Sequence, residues 1–131
     1  MSDEQRPQSV PKAPQSYREL IAWQKGMLLA KLINRLTAKF PRGEKFGLTS
    51  RMRRAAVSIP SNLAEGQARR TTGEFVQFIS YAEGSTAELD TQLTPSIELG
   101  FCSAPDAAEA NGLIQELRKM LNALRRSVSS S

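Results

Sequence analysis

The chemistry open to this chain is limited first by what it lacks. It contains no histidine, so the commonest general base and the commonest zinc ligand are both missing. Its one cysteine, Cys102, cannot form an intrachain disulfide and fits a reducing, cytoplasmic compartment. Ser58 and Glu65 supply a nucleophile and a base by type. About 10 Å of helix separates them, too far for direct proton transfer within one chain. Glu74, Glu83, Glu88, Asp90 and Glu98 invite a di-metal carboxylate site. Such sites in helical bundles add Glu-x-x-His pairs, which this chain cannot supply. No phosphate-binding glycine loop, dinucleotide fingerprint or zinc-ligand spacing is present. The expectation is a protein without catalytic residues, metal or cofactor.

Arginine is the residue type that remains. The chain of 131 residues carries 18 Lys and Arg against 13 Asp and Glu, a net charge of +5. Such an excess suggests an anionic partner, nucleic acid first; solubility alone would also account for it. The densest run is Arg51, Arg53 and Arg54, and Arg69 and Arg70 follow some fifteen residues on. These five are the candidate nucleic-acid contacts, with Arg35, Lys39, Arg42 and Lys45 adding charge nearby. Arg51, Arg53 and Arg54 fall in the first turns of a predicted helix, where cations oppose the macrodipole by about 0.3–1 kcal/mol. Something must favour them there: phosphates, or carboxylates on a neighbouring helix or subunit. No helix-turn-helix spacing is present, so little sequence preference is expected.

Positioning these residues requires helices. Tyr17, Ile21, Leu28, Leu32 and Leu36 recur at helical spacing, with Leu29 and Ile33 widening the stripe. A capping box, Ser16 to Glu19, opens this helix, and it ends near Lys39 before Pro41. A second helix runs from Leu48 or Thr49 to Glu65 and stops at Gly66, with Pro60 expected to bend it. A third begins at the capping box Thr71 to Glu74, carries Phe75, Phe78, Ile79, Ala82, Leu89, Leu93 and Ile97 inward, and ends at Gly100. A fourth opens near Ser103 or Pro105 and has a near-heptad seam through Leu113, Leu117, Leu121 and Leu124. No segment alternates with period two, and no apolar run is long enough for a membrane span. The fold class is therefore all-α, an antiparallel up-down four-helix bundle over residues 16–126. Residues 1–15, with three prolines and little apolar content, are predicted to be a disordered tail. Residues 127–131 are predicted to fray.

Two sets of residues suggest more than a bundle core. Trp23, Met27 and Ala30 lie on a separate line of the first helix, and an isolated bundle helix should be polar outside. Because Trp is enriched at interfaces, Trp23 and Met27 predict self-association. Ser58, Asn62 and Glu65 follow at i, i+4 and i+7 beside the apolar stripe of the second helix. They suit a hydrogen-bond network at a helix–helix or subunit contact. Gly84-Ser85 suits a close helix approach.

The run Arg53-Arg54-Ala55-Ala56-Val57-Ser58-Ile59-Pro60-Ser61-Asn62-Leu63-Ala64-Glu65-Gly66 resembles one family closely. It is similar to the small four-helix-bundle proteins encoded in intervening sequences of bacterial large-subunit ribosomal RNA genes. Leu20, Trp23, Gln24 and Lys25, then Phe40-Pro41, Phe46-Gly47-Leu48, Glu74-Phe75, Gly84-Ser85, Glu88-Leu89 and Gly100, extend the match over residues 17–126. Arg51, Glu83 and Pro95 depart from the family pattern. The resemblance implies a four-helix bundle and a cyclic homopentamer. It also implies kinship with retroelement accessory proteins that engage a reverse transcriptase and nucleic acid. It implies no enzymatic activity. The function expected is an oligomeric scaffold that binds structured RNA or DNA; a protein-interaction scaffold without nucleic acid is the alternative.

Overall fold

The computed structural model describes residues 17, 20–45 and 47–130. Among these, four helices follow one another: α1 Ile21–Thr37, α2 Leu48–Gln67, α3 Thr72–Glu98 and α4 Ala104–Ser129. One 3-10 turn, Arg42–Glu44, lies between α1 and α2. Each helix packs against its sequence neighbour, and α4 closes back onto α1. The diagonal pairs, α1 with α3 and α2 with α4, make no close backbone approach among the described residues. This is the up-down-up-down four-helix bundle expected from the periodicities.

The helix starts follow from local chemistry. Thr71 accepts from the Glu74 amide at 3.1 Å and donates to the Glu74 carboxylate at 3.0 Å. Ser103 accepts from the Asp106 amide at 3.1 Å, and Pro105 sits in the first turn, where its missing N–H costs nothing. Glu44 accepts from the Leu48 amide at 3.2 Å and so caps α2 from the preceding turn. Gly100 ends α3 with a φ of 78°. The Phe101 amide donates back to Ser96 O and the Gly100 amide to Ile97 O, the paired bonds of a Schellman motif. That turn drives Phe101 onto Phe40, with ring centroids 5.6 Å apart.

Leu29, Ile33, Met52, Ile59, Leu63, Ile79, Leu89, Ile114, Leu117 and Leu121 are fully buried. Each such side chain contributes about 1.5–3 kcal/mol of transfer free energy. The polar groups among them are satisfied locally: Thr86 donates to Ala82 O at 2.7 Å and Ser96 to Gln92 O at 2.9 Å. Two glycines set how closely α2 is approached. A Cβ on Gly26 would lie 3.2 Å from Pro60 Cδ, and one on Gly66 only 2.6 Å from Phe78 Cβ. Pro60 is buried, and the helical conformation of α2 runs unbroken through it.

Several boundaries and faces differ from expectation. Gly66 does not stop α2, which continues to Gln67. Its lack of a side chain serves contact with α3 instead. α4 continues through Ser129 rather than fraying at Ser127, because Leu124 and Val128 still pack on the core. α1 starts at Ile21 with Leu20 as its cap residue and no side-chain cap bond. The Ser16–Glu19 capping box and the 1–15 tail lie outside the described residues. The face of α1 is also rotated. Ile21 and Leu28, assigned to the core stripe, are 56% and 40% exposed. Leu29 and Ile33, expected at the margin of the stripe, are fully buried, and Ala22 and Gly26 are buried with them. Leucines adjacent at 28 and 29 support two phases of the same period, and the small residues Ala22 and Gly26 let the second phase pack closer to α2. Trp23 is accordingly half-buried, packs on the core and meets Tyr17 edge-on at 5.4 Å. Gly84 has nothing within 4 Å of a Cβ position, so it serves no close approach inside the protomer.

Candidate nucleic-acid interface

The antiparallel turn between α1 and α2 brings the end of one helix beside the start of the other. Arg53 uses that juxtaposition. Its Nε donates to Thr37 Oγ1 at 2.8 Å and its Nη2 to Asn34 O at 3.1 Å. Thr37 in turn donates to Ile33 O at 2.7 Å. The guanidinium therefore sits on the C-terminal carbonyls of α1, where the macrodipole favours a cation. A charge that looks unfavourable on its own helix is favourable against the neighbouring one. Arg53 is half-buried, and two of its five N–H donors are held by the end of α1.

The other four candidate arginines differ in their surroundings. Arg51 and Arg54 are exposed and line a groove of 250 Å³ with Ala55, Ser58 and Glu88. Arg54 donates to Ser50 Oγ at 3.3 Å. Arg69 pairs with Glu65 at 3.2 Å and lies 4.8 Å over the Phe78 ring. Arg70 is exposed, and it lies with Arg69 at the opposite end of the bundle from Arg51 and Arg54. The fold thus does not bring the five together. Elsewhere Arg118 pairs with Asp90 at 3.1 Å, Arg125 with Glu83 at 2.8 Å and Lys25 with Glu116 at 3.3 Å.

Charge is concentrated where α1 ends and α2 begins. Residues 31–54 hold eight of the 18 cations and one of the 13 acids, which leaves ten cations and twelve acids for the rest of the chain. That segment is therefore +7, and everything outside it sums to −2. Its single acid, Glu44, is occupied in capping α2. Arg35 and Lys39 lie on the α4 flank, in a groove shared with Asp106 and Glu109. Arg42, Arg51 and Arg54 lie toward the turn and the α2 side. These cations already lie within one continuous stretch of sequence; the antiparallel turn folds that stretch back on itself, so that those near the turn share one end of the bundle.

Ser58, Asn62 and Glu65 do not build a network between helices. Ser58 donates to Ala55 O at 2.7 Å and Asn62 to Ser58 O at 2.8 Å, both within α2. Ser58 and Asn62 are half-buried on the α3 flank and Glu65 is exposed. No group of three or more potential metal ligands occurs among the described residues. None of the described helices is long and apolar enough to cross a membrane. Burial, and secondarily the Asp106 carboxylate, raises the pKa of the Cys102 thiol, the opposite of what a reactive cysteine needs.

Comparison with known proteins places this geometry. No curated protein matches the sequence. A crystal structure of a protein with unknown function from the S23 ribosomal protein family of Bacteroides thetaiotaomicron VPI-5482 superposes with a TM-score of 0.73. The two sequences are 17% identical, and the match covers 80% of this chain and 98% of that one. At that identity the likeness speaks for the fold. The profile of the 23S rRNA-intervening sequence proteins matches residues 18–123, almost the whole bundle. The chain belongs to the 23S rRNA-intervening sequence protein family.

Proposed function

We propose that this protein is a non-enzymatic, self-associating scaffold of the cytoplasm that binds the phosphate backbone of RNA or DNA through the α1–α2 end of the bundle. Arg42, Arg51 and Arg54 are the principal contacts, with Arg35 and Lys39 beside them. The observation that carries this reading is the +7 charge of residues 31–54 against −2 for the remainder. Planar guanidinium groups suit paired hydrogen bonds to phosphate. Repetition of the same end in every subunit of an oligomer would multiply weak contacts by avidity. Arg53 is left out because it holds the end of α1, and Arg69 because Glu65 and Phe78 occupy it. Self-association is supported by large apolar side chains that remain exposed, Ile21, Leu28, Val57, Tyr81 and Leu99.

The test is fluorescence anisotropy with labelled structured RNA and duplex DNA across roughly 50–200 mM salt, where counterion release acts most visibly. The variant Arg42→Ala/Arg51→Ala/Arg54→Ala should bind more weakly and with a shallower salt slope, by up to about 2–3 units of log–log slope per protomer engaged. Arg69→Ala/Arg70→Ala should change both less. The ion pairs Arg69–Glu65 and Arg118–Asp90 favour a second reading, a protein-interaction scaffold whose charge is structural. Absence of binding to any nucleic acid at about 50 mM salt, where backbone contacts are strongest, gives that reading the weight.

A further inference from the structure

The groove that holds Arg51 and Arg54 also holds a group of the wrong sign for phosphate. Glu88 of α3 lines it, with Ala55 and Ser58 of α2 completing the wall. Among the described residues no ion pair joins Glu88 to either arginine. Its neighbours on α3, Glu83 and Asp90, are held instead by Arg125 and Arg118. Glu88 is exposed and accepts from Gln92 Nε2 at 3.2 Å. An ionised carboxylate has about four acceptor positions. That one bond therefore orients Glu88 and leaves most of its capacity open. Gln92 is half-buried, so the amide that holds the carboxylate has little freedom. Arg54 is oriented in the same way by Ser50 Oγ, at 3.3 Å.

The groove thus offers cationic donors from α2 and an acceptor pair from α3. A ligand that satisfies both carries an anion at one end and paired N–H donors at the other. A guanine nucleotide has that form. Its Watson–Crick edge presents N1–H and the N2 amino group side by side, matched to the two oxygens of a carboxylate, and its phosphate suits a guanidinium. Adenine and cytosine place a lone pair at the corresponding ring nitrogen, and uracil flanks its single N–H with carbonyls. A carboxylate repels those edges. In a duplex the Watson–Crick edge is already paired, so the base must come from a single strand or a loop. The groove volume, 250 Å³, falls below the roughly 300–1,000 Å³ of sites that enclose a whole small molecule. It suits one nucleotide of a longer strand better than a free ligand.

We propose that the α2–α3 groove takes one unpaired guanine of a bound RNA or DNA strand, with Arg51 and Arg54 on its phosphates and the Glu88 carboxylate on its N1–H and N2 amino group. The inference rests on the nucleic-acid binding proposed above and adds a base preference to it. Gln92 is a positioning residue, since it acts through Glu88. The preference is for one base at one subsite, not for an extended sequence, and so needs no recognition helix.

The test is anisotropy at about 50 mM salt with labelled oligouridine strands of equal length that carry isolated guanines, inosines or adenines at the same positions. Backbone charge is the same in all three, so a difference reports the base. The guanine strand should bind about five- to tenfold more tightly than the adenine strand, the lower part of the range for a paired base contact because the groove is open. Inosine keeps N1–H and lacks the amino group, and should fall between. Glu88→Gln should bring guanine and adenine strands to near parity, while adenine binding stays or strengthens because a negative charge beside the phosphates is gone. Glu98→Gln removes the same charge from an exposed position of α3 outside the groove and should keep the guanine preference; loss of the preference there too makes it an effect of charge and overturns the contact. Free guanosine monophosphate should compete poorly, since it lacks the neighbouring phosphates. Competition as effective as that of the guanine strand itself overturns the strand-bound form. No binding of any strand overturns nucleic-acid binding and this subsite together. Binding without guanine preference, or a preference that Glu88→Gln leaves intact, overturns the subsite alone.

Discussion

Removing the Arg53 guanidinium should destabilise the bundle, although the residue belongs to an arginine run on the protein surface. The substitution Arg53→Met keeps an unbranched stem of similar reach and deletes the charge and all donors. Two charge-assisted hydrogen bonds are lost, to Thr37 Oγ1 and Asn34 O. Each contributes about 1 kcal/mol or somewhat more. A cation at the end of α1 contributes about 0.3–1 kcal/mol besides. Thr37 is only 2% exposed, so its hydroxyl gains little compensating water. The sum is about 2–3 kcal/mol. Arg51→Met and Arg54→Met remove exposed guanidinium groups and should stay within about 0.5 kcal/mol. Urea unfolding separates the two outcomes. With a slope of about 1–3 kcal/mol/M, Arg53→Met should lower the midpoint by roughly 1 M and the other two scarcely at all. The same variants should divide oppositely in nucleic-acid binding, where Arg51 and Arg54 matter and folded Arg53→Met resembles the unaltered protein. If Arg53→Met costs no more than Arg54→Met, the α1 capping role is wrong.

Gly66→Ala should lower the melting temperature: the new Cβ would lie 2.6 Å from Phe78 Cβ. The overpacking costs about 1–3 kcal/mol, set against about 1 kcal/mol of gained helix propensity. Thr71→Ala and Ser103→Ala each delete a cap bond that the structure places at 3.1 Å. Each should cost about 1 kcal/mol in chemical denaturation. Cys102 should react with a disulfide reagent more slowly than a free cysteine at the same pH. Burial and then Asp106 raise its pKa, so less thiolate is present at any given pH. Its rate–pH midpoint should therefore lie above that of a model thiol, and a midpoint below it would contradict the burial seen here.

The helices were legible because their signals are local and redundant. Thr71 with Glu74 marks a start by the same hydrogen bond that the structure contains, and Ser103 with Pro105 marks another, where Ser103 accepts from the Asp106 amide and Pro105 fills the first turn. Gly100 marks an end through its positive φ. Gly66 carried an equally plain stop signal and misled, because a glycine that ends a helix and one that admits a neighbouring helix look identical in a sequence. The phase of α1 was ambiguous for a related reason. Leu28 and Leu29 are equally apolar, and only the close fit of Gly26 against Pro60 decides which one faces inward.

The candidate site was less legible. Its residue types were plain, but hydrogen-bond partners reached across chain separations that spacing does not encode. Arg53 and Asn34 lie 19 residues apart, and Arg125 and Glu83 lie 42 apart. The sequence alone determined that this chain is a helical bundle with an excess of arginine and without histidine chemistry. Composition and short-range periodicity suffice for both conclusions. Only the tertiary structure decided which arginines are held by partners, and which flank of the bundle each of the others lies on. Coulomb interactions and hydrogen bonds depend on distance through space, and the antiparallel turns of the bundle set those distances.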